Sequence, residues 1–344
     1  MYTLEPIEYS RGIRYLSEID PVNARSNADT LVTVFGGSGF VGRHVVRALA
    51  RRGFRIRVAV RRPDLAFHLQ PLGRVGQIHA VQANVRYPAS VELAVRDASA
   101  VINLTGLLFG RGKQTFEAVH VAGTQAIADA AVEHDARIIH MSALGADPES
   151  PGEYGRTKAA GEAAVRGIAP EATIVRPSVV FGPEDQLFNR FAFLARMMPV
   201  LPLVGGGETK FQPLFVGDLA EAIARLVEDT TIDGKTYELG GPDTVTLREI
   251  FEFVLSTIER KRLLVPLPFA LARLQAQVLQ YLPNPPLTPS QVDMLHDDNI
   301  VSETAEKDGR TLKGLGIEPA TFASIVPSYL WRFRRTGQFR SSAA

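Results

Sequence analysis

The sequence contains no cysteine. That absence excludes disulfides, thiolate nucleophiles and cysteine-ligated metal sites together, and it suits a reducing compartment. Long apolar runs are missing as well. The best candidate, LLVPLPFALA from Leu263, is broken by two prolines and falls far short of the ~20 residues that cross a bilayer. The N-terminus carries Glu5, Glu8, Glu18 and Asp20, which resembles neither a secretory signal nor a transit peptide. The expectation is a soluble or peripheral protein on a cytoplasmic or matrix side. Net charge is only +1, so no global field draws the chain to nucleic acid or an anionic membrane. Locally the balance is broken: no Asp or Glu occurs between Thr30 and Pro63, while Arg43, Arg47, Arg51, Arg52, Arg55, Arg57, Arg61 and Arg62 all fall there. There is no internal repeat or low-complexity tract, and the seven histidines show no metal-ligand spacing.

What is present has the balance of a folded globular protein, with 45% apolar and 22% charged residues over 344 positions. That length suits one large domain or a main domain with a smaller companion. After a polar extension over residues 1–30, apolar and amphipathic stretches alternate in a βα rhythm. TLVTVFG reads as a buried strand and VGRHVVRALARRG as a helix closed by Gly53. RIRVAVR, IHAVQANV, AVINLTGLL, RIIHMSALG and TIVRPSVVFG read as five further strands. After the third, helices separate them at SVELAVRDA, FEAVHVAGTQAIADAAVEHD and the segment starting near Tyr154. Strands joined this way pair in parallel through right-handed crossovers, so the fold class is α/β, a doubly wound parallel sheet. Residues 31–182 are expected to form this dinucleotide-binding unit. Over residues 183–344 the rhythm loosens into Pro- and Gly-rich loops, with helices at GDLAEAIARLVED and TLREIFEFVLSTIERK and a strand at KTYELGG.

VFGGSGFVGR places Gly36, Gly39 and Gly42 directly after the first strand and at the start of the first helix. Gly36 permits the tight turn, Gly39 lets the backbone approach a pyrophosphate, and Gly42 allows close helix–strand packing. The helix N-terminus, with Ser38, Phe40 and Val41, offers N–H donors and a positive dipole end. An NAD-selective site wants an acid about twenty residues on, for the ribose 2′-hydroxyl. This chain instead ends its second strand with Arg61 and Arg62, whose guanidiniums suit a 2′-phosphate. NADPH is therefore the expected cofactor, with Arg61, nearer the strand end, preferred to Arg62. Asn84 and Val85 close the third strand, where adenine would lie. Leu104, Thr105 and Gly106 follow the fourth, beside the nicotinamide half, and Pro177 and Val180 of the sixth complete the set.

Tyr154 and Lys158 are four apart and share a helix face. A cationic lysine near a tyrosine lowers the phenol pKa and lets it pass a proton to a carbonyl as hydride arrives. GGSGFVG, Tyr154-x-x-x-Lys158 and RPSVVFG together resemble the short-chain dehydrogenase/reductase superfamily, in its extended or atypical branch. The resemblance implies Ser142, Tyr154 and Lys158 as candidate catalytic residues, with Lys158 also able to hold the nicotinamide ribose. Members of that branch usually present two adjacent hydroxyl residues after the fifth strand. Here Ser142 is followed by Ala143, and His120 stands where an Asn is common. Both departures bear on chemistry and leave cofactor binding untouched.

The second half narrows the resemblance. PSVVFGPEDQLFNRFA, PLVGGGETKFQPLFVGDLAEAI, YELGGPDTVTLREI and PSYLWRFRRTGQF are similar to the nucleotide-binding accessory subunits of respiratory complex I, the NADH:ubiquinone oxidoreductase, from about Leu31 to Phe339. That similarity implies NADPH held tightly at the edge of the peripheral arm, near the quinone-binding region and the membrane surface, without independent turnover. It implies other peripheral-arm subunits as partners, and a peripheral position on the cytoplasmic face of a bacterial inner membrane or the mitochondrial matrix side. The alternative is a free-standing NADP(H)-dependent reductase, epimerase or dehydratase.

Outside the pocket, Asp147, Glu149 and Glu153 read as a solvated turn, and His134 and His140 as capping or packing residues. Asp185 and Asn189 either face a substrate cleft or cap a helix start. Leu271, Leu274, Val278 and Leu282 fall on one helical stripe, expected to pack into the core. The alternative is an interfacial helix meeting lipid or a membrane subunit. Trp331 and Phe333 among the arginines of YLWRFRR are compatible with a partner surface.

Overall fold

Side chains of a strand alternate between two faces, and β1 (Leu31–Phe35) sends Val32 and Val34 into one core while Phe35 joins another. Both faces of its sheet are covered, which is why its central strands are rich in apolar residues. The computed structural model describes residues 27–337 apart from Pro283, Asn284 and Pro286. Most of the N-terminal extension and the final residues of the complex I-like ending, among them Phe339, lie outside the described residues.

After β1 come α1 (Phe40–Arg51), β2 (Arg55–Val60), β3 (Ile78–Gln82), α2 (Pro88–Val95), β4 (Ala100–Asn103), α3 (Ala122–Glu133), β5 (Arg137–Met141), α4 (Glu153–Ile168) and β6 (Thr173–Pro177). The second half adds β7 (Val180–Phe181), α5 (Phe188–Met197), β8 (Val200–Val204), β9 (Lys210–Phe211), β10 (Leu214–Phe215), α6 (Val216–Glu228) and β11 (Thr236–Leu239). Then follow β12 (Val245–Thr246), α7 (Leu247–Thr257), β13 (Leu263–Leu267), α8 (Phe269–Leu279) and α9 (Pro289–Met294). The main sheet is parallel and seven-stranded, in the order β11-β6-β5-β4-β1-β2-β3. This is the doubly wound sheet expected from the βα rhythm. Its seventh strand comes from beyond residue 182, so α6 and β11 belong spatially to the first unit. The order reverses at β1, and ligand crevices open at the carboxyl ends of strands beside such a switch.

On one face α1 and α6 bring Val45, Leu49, Leu219 and Ile223 against Val34, Val58 and Ile102. On the other, α2, α3 and α4 bring Val91, Ile127 and Val165 against Phe35, Val101 and Ile174. A second lobe has its own core of Phe181, Phe188, Ile250, Val254, Phe322 and Val326. Its helix α7 opens on a reciprocal capping box between Thr246 and Glu249. Phe333 is buried in that core, whereas Trp331 keeps 36% of its surface exposed.

Three local readings change. LLVPL, seen from sequence only as a short apolar run, forms β13 and pairs in parallel with β8. The long helix expected from Phe116 begins as a π-type turn at Glu117–Val121. The stripe on α8 faces outward: Ala272 and Ala276 are buried, while Leu271, Leu274, Val278 and Leu282 are exposed. The two alanines lie on the opposite side of the helix and allow it to approach Val204 and Val292 closely.

Candidate nucleotide site and dyad

The glycine turn is built by contact. Gly36 has φ +76°, and a Cβ there would come within 3.1 Å of the Leu104 backbone, so the end of β1 is pressed against the end of β4. A Cβ on Gly42 would lie 2.2 Å from the Gly36 carbonyl oxygen, which explains why α1 can sit so tightly on its own entry turn. Gly39 is the N-cap and has no side chain to bond the first turn, which contains no acid. The free N–H groups and the positive dipole end therefore remain available to an anion.

A groove of about 290 Å³ runs across the carboxyl ends of β1, β2, β3 and β4. Gly36, Ser38, Gly39 and Arg61 line one stretch of it, and Asn84, Val85, Leu104, Thr105 and Gly106 another. No Asp or Glu is among its lining residues. The uncapped helix end, the glycine cradle and this all-neutral-or-cationic wall fit a dinucleotide. Phe40, Val41 and Gly42 lie outside the lining: Val41 packs on the core and Phe40 lies close to Gly182. Arg62 is exposed and forks onto Asp64 at 3.1 and 2.7 Å. Arg86, Leu107, Gln114 and Val119 also line the groove; nothing in their spacing had singled them out.

Tyr154 and Lys158 stand in the first turns of α4, whose Gly152 N-cap likewise offers no side-chain bond. The Tyr154 amide instead donates to Ser290 Oγ of α9 at 3.3 Å. Lys158 is 3% exposed and donates to the Met141 carbonyl at 3.2 Å. A Cβ on Gly106 would lie 3.5 Å from Lys158 Nζ, which puts the ammonium at the β4 end of the groove. Burial pulls Lys158 down to about 8, partly opposed by Glu162. Lys158 Nζ lies 6.0 Å from the Tyr154 ring centroid, and burial pushes the phenol up to about 12. Desolvation thus outweighs the lowering expected from the lysine. Ser142 Oγ is buried without a hydrogen-bond partner among the described residues. Pro177 is buried and accepts the Leu144 amide at 3.1 Å, and Val180 opens β7 against the core.

A model of the NAD dependent epimerase/dehydratase family matches residues 32–240. The chain belongs to that family. Over 341 residues it is 34% identical to the NADH dehydrogenase (ubiquinone) 1 alpha subcomplex subunit 9, mitochondrial, of Arabidopsis thaliana, covering 95% of this chain and 84% of that one. A ceramide reductase of Caulobacter vibrioides is 37% identical over 179 residues, 52% of this chain and 55% of its own length. A solved dTDP-glucose 4,6-dehydratase of Streptomyces venezuelae, with NAD and TYD bound, superposes with a TM-score of 0.66 at 18% identity. That match covers 90% of this chain and 99% of the other, and establishes shared fold alone.

Within this epimerase/dehydratase frame, buried polar residues brace the dyad. His120 Nε2 accepts the Leu107 amide at 3.0 Å, so its proton sits on Nδ1, 3.0 Å from Thr157 Oγ1. His120 thereby ties the loop after β4 to the residue preceding Lys158. Burial, then the Lys158 charge, lowers its pKa to about 3. His140 Nδ1 accepts from Asn103 Nδ2 at 3.1 Å, and Asn103 Oδ1 takes the Thr105 amide and hydroxyl. Burial brings His140 to about 3 as well. Glu162, one turn beyond Lys158, receives Arg176 of β6 at 2.8 and 2.7 Å, and Arg176 also lies 3.7 Å from Glu238 of β11. The i+4 spacing of Glu162 from Lys158 was the available signal for this brace. Asp185 proves to be a loop and helix-start cap: it accepts from the Gly182 and Asn189 amides and, at 2.5 Å, from the Tyr329 hydroxyl. Asn189 donates to the Pro183 and Asp185 carbonyls. Among the described residues no His, Asp and Glu group is arranged to hold a metal.

Proposed function

We propose that the protein is an accessory subunit of respiratory complex I that holds NADPH in a stabilising role near the quinone-binding region, without turnover of its own. The observation that carries this reading is the 34% identity to the Arabidopsis subunit, sustained over 95% of the chain. The groove supports the nucleotide part: Gly36, Ser38 and Gly39 would hold the pyrophosphate, Asn84 and Val85 the adenosine, and Leu104, Thr105 and Gly106 the nicotinamide half. Arg61 at the end of β2 supports the phosphorylated form of the cofactor. In this reading Lys158, at the β4 end of the groove, holds ribose hydroxyls. A bound nicotinamide supplies hydride chemistry, but the groups around it favour retention over reaction. The Tyr154 phenol near 12 is a weak proton donor. Ser142 Oγ is enclosed, and Ala143 has no hydroxyl to orient a carbonyl.

In this proposal residues 183–344 carry the partner-facing surface. The exposed stripe of Leu271, Leu274, Val278 and Leu282 supports a contact with a membrane subunit or lipid. No helix among the described residues is long and apolar enough to cross a membrane, and the proposed position is peripheral, on the cytoplasmic or matrix side. Purification from native membranes in mild detergent tests the reading: co-isolation with peripheral-arm subunits and stoichiometric NADPH is expected. Recovery as a free monomer that exchanges its nucleotide would refute it. A second reading, a free-standing reductase, draws on the partial match to the ceramide reductase. It requires a substrate-dependent change in nicotinamide absorbance that Tyr154→Phe abolishes.

A further inference from the structure

The guanidinium that sequence spacing paired with Arg61 is otherwise engaged. Arg62 forks onto Asp64 with two of its nitrogens and stands outside the groove. A different arginine takes its place. Val60, the last residue of β2, pairs with Gln82, the last of β3, so Arg61 and the loop from Ala83 to Arg86 leave neighbouring strands at the same edge. Arg61 and Arg86 both line the groove. β2 and β3 lie on the opposite side of β1 from β4, so both arginines line the groove on the side remote from Lys158. That is the side on which the adenosine ribose of a dinucleotide would lie, once its pyrophosphate sat on the Gly36 turn.

Arg86 is also held in place. Its amide donates to Asn84 Oδ1 at 3.2 Å and its Nη1 to the Lys113 carbonyl at 3.2 Å. Its guanidinium carbon lies 5.7 Å from the Tyr87 ring centroid. These contacts fix the side chain without neutralising it, and neither Arg61 nor Arg86 has an ion-pair partner among the described residues. A phosphate dianion calls for two such cations, and a positioned fork loses less entropy on binding than a free one. The lining also lacks the carboxylate by which an NAD-selective site holds the 2′-hydroxyl.

We propose that Arg86 is the second arm of a clamp on the 2′-phosphate of NADPH, acting with Arg61 in the role that sequence spacing gave to Arg62. The proposal rests on the NADPH reading above and adds a specificity-determining residue to it. The test titrates the full chain, freed of nucleotide, with NADPH, NADH and 2′,5′-ADP, and compares Arg86→Ala, Arg86→Gln, Arg61→Ala and Arg62→Ala. Thermal melting verifies that each variant is folded. Loss of a charged hydrogen bond to phosphate corresponds to about tenfold or more in affinity. Both Arg86 variants and Arg61→Ala should weaken NADPH and 2′,5′-ADP by that factor, leave NADH within about twofold, and contrast with an unaffected Arg62→Ala. If the Arg86 variants bind NADPH and 2′,5′-ADP like the parent while Arg61→Ala does not, Arg86 is no part of the clamp and the NADPH reading stands. Equal weakening of NADH and NADPH would likewise remove it from the 2′-phosphate. A parent protein that binds NADH as tightly as NADPH would overturn the cofactor reading, and the clamp with it.

Discussion

Lys158→Met keeps an unbranched side chain out to Cε and removes the charge of a residue that is 3% exposed. The folded chain holds this ammonium near 8 against an ordinary value of 10.5, chiefly through burial. That difference is worth roughly 3 kcal/mol against the charged form. The variant also loses the hydrogen bond to the Met141 carbonyl, which returns about 1.5 kcal/mol of the gain. Nucleotide-free Lys158→Met should therefore unfold with about 1–2 kcal/mol more stability than the parent at pH 7. The sign of the pH dependence is fixed. Below pH 8 the lysine is protonated in both states and the full burden is present. Between 8 and 10.5 the unfolded chain binds more protons than the folded one, so the parent gains stability as pH rises and the gap closes. Urea melts of both proteins at pH 7 and pH 10 measure this, with copurified nucleotide assayed in parallel. A variant less stable than the parent at pH 7, or a gap that ignores pH, would show that burial does not burden Lys158. Retention of parental nucleotide content would remove Lys158 from the ribose.

His120 and His140 sit near 3 in the fold against 6.5 when exposed. Stability should be complete above pH 6.5 and fall as pH drops toward 3, because the unfolded chain then binds more protons; a flat urea midpoint between pH 6.5 and 4 would contradict their buried neutral state. Gly42→Ala forces a Cβ to 2.2 Å from a backbone oxygen and should cost about 3 kcal/mol or more in urea melts. Gly39→Ala meets only the Gly36 oxygen at 3.2 Å and should keep the melt but reduce nucleotide binding; equal stability losses would sink the distinction. A Leu274→Glu, Val278→Lys double variant should leave urea stability within about 0.5 kcal/mol yet lower recovery with membranes, and unchanged recovery would discard α8 as the contact. Tyr154→Phe should leave nucleotide content unaltered, measured by extraction and absorbance.

Sequence periodicity was a good guide wherever one residue's local preference and the whole sheet agreed. Buried parallel strands such as β1 and β4 are mostly apolar, with only Thr33 and Asn103 as exceptions, and the glycine turn announces itself because its contacts are backbone against backbone. Arg62 shows where spacing fails: it stands next to Arg61, yet Asp64, two residues on, captures it. Arg86 belongs to the groove through the lateral pairing of β2 with β3, a relation between distant segments that no local pattern records. The stripe on α8 misled for a related reason. An amphipathic helix marks its larger apolar side as inward, but here small alanines decide which side can dock. The hydroxyl of Ser142 likewise counted as available until the fold enclosed it.

Everything that lines the groove lies between Phe35 and Val119, whereas the last strand of the same sheet, β11, is Thr236–Leu239. During synthesis the nucleotide-facing edge therefore leaves the ribosome more than a hundred residues before the sheet can close at its other edge. The lining residues of the groove emerge first, with Lys158 and the far edge of the sheet following later.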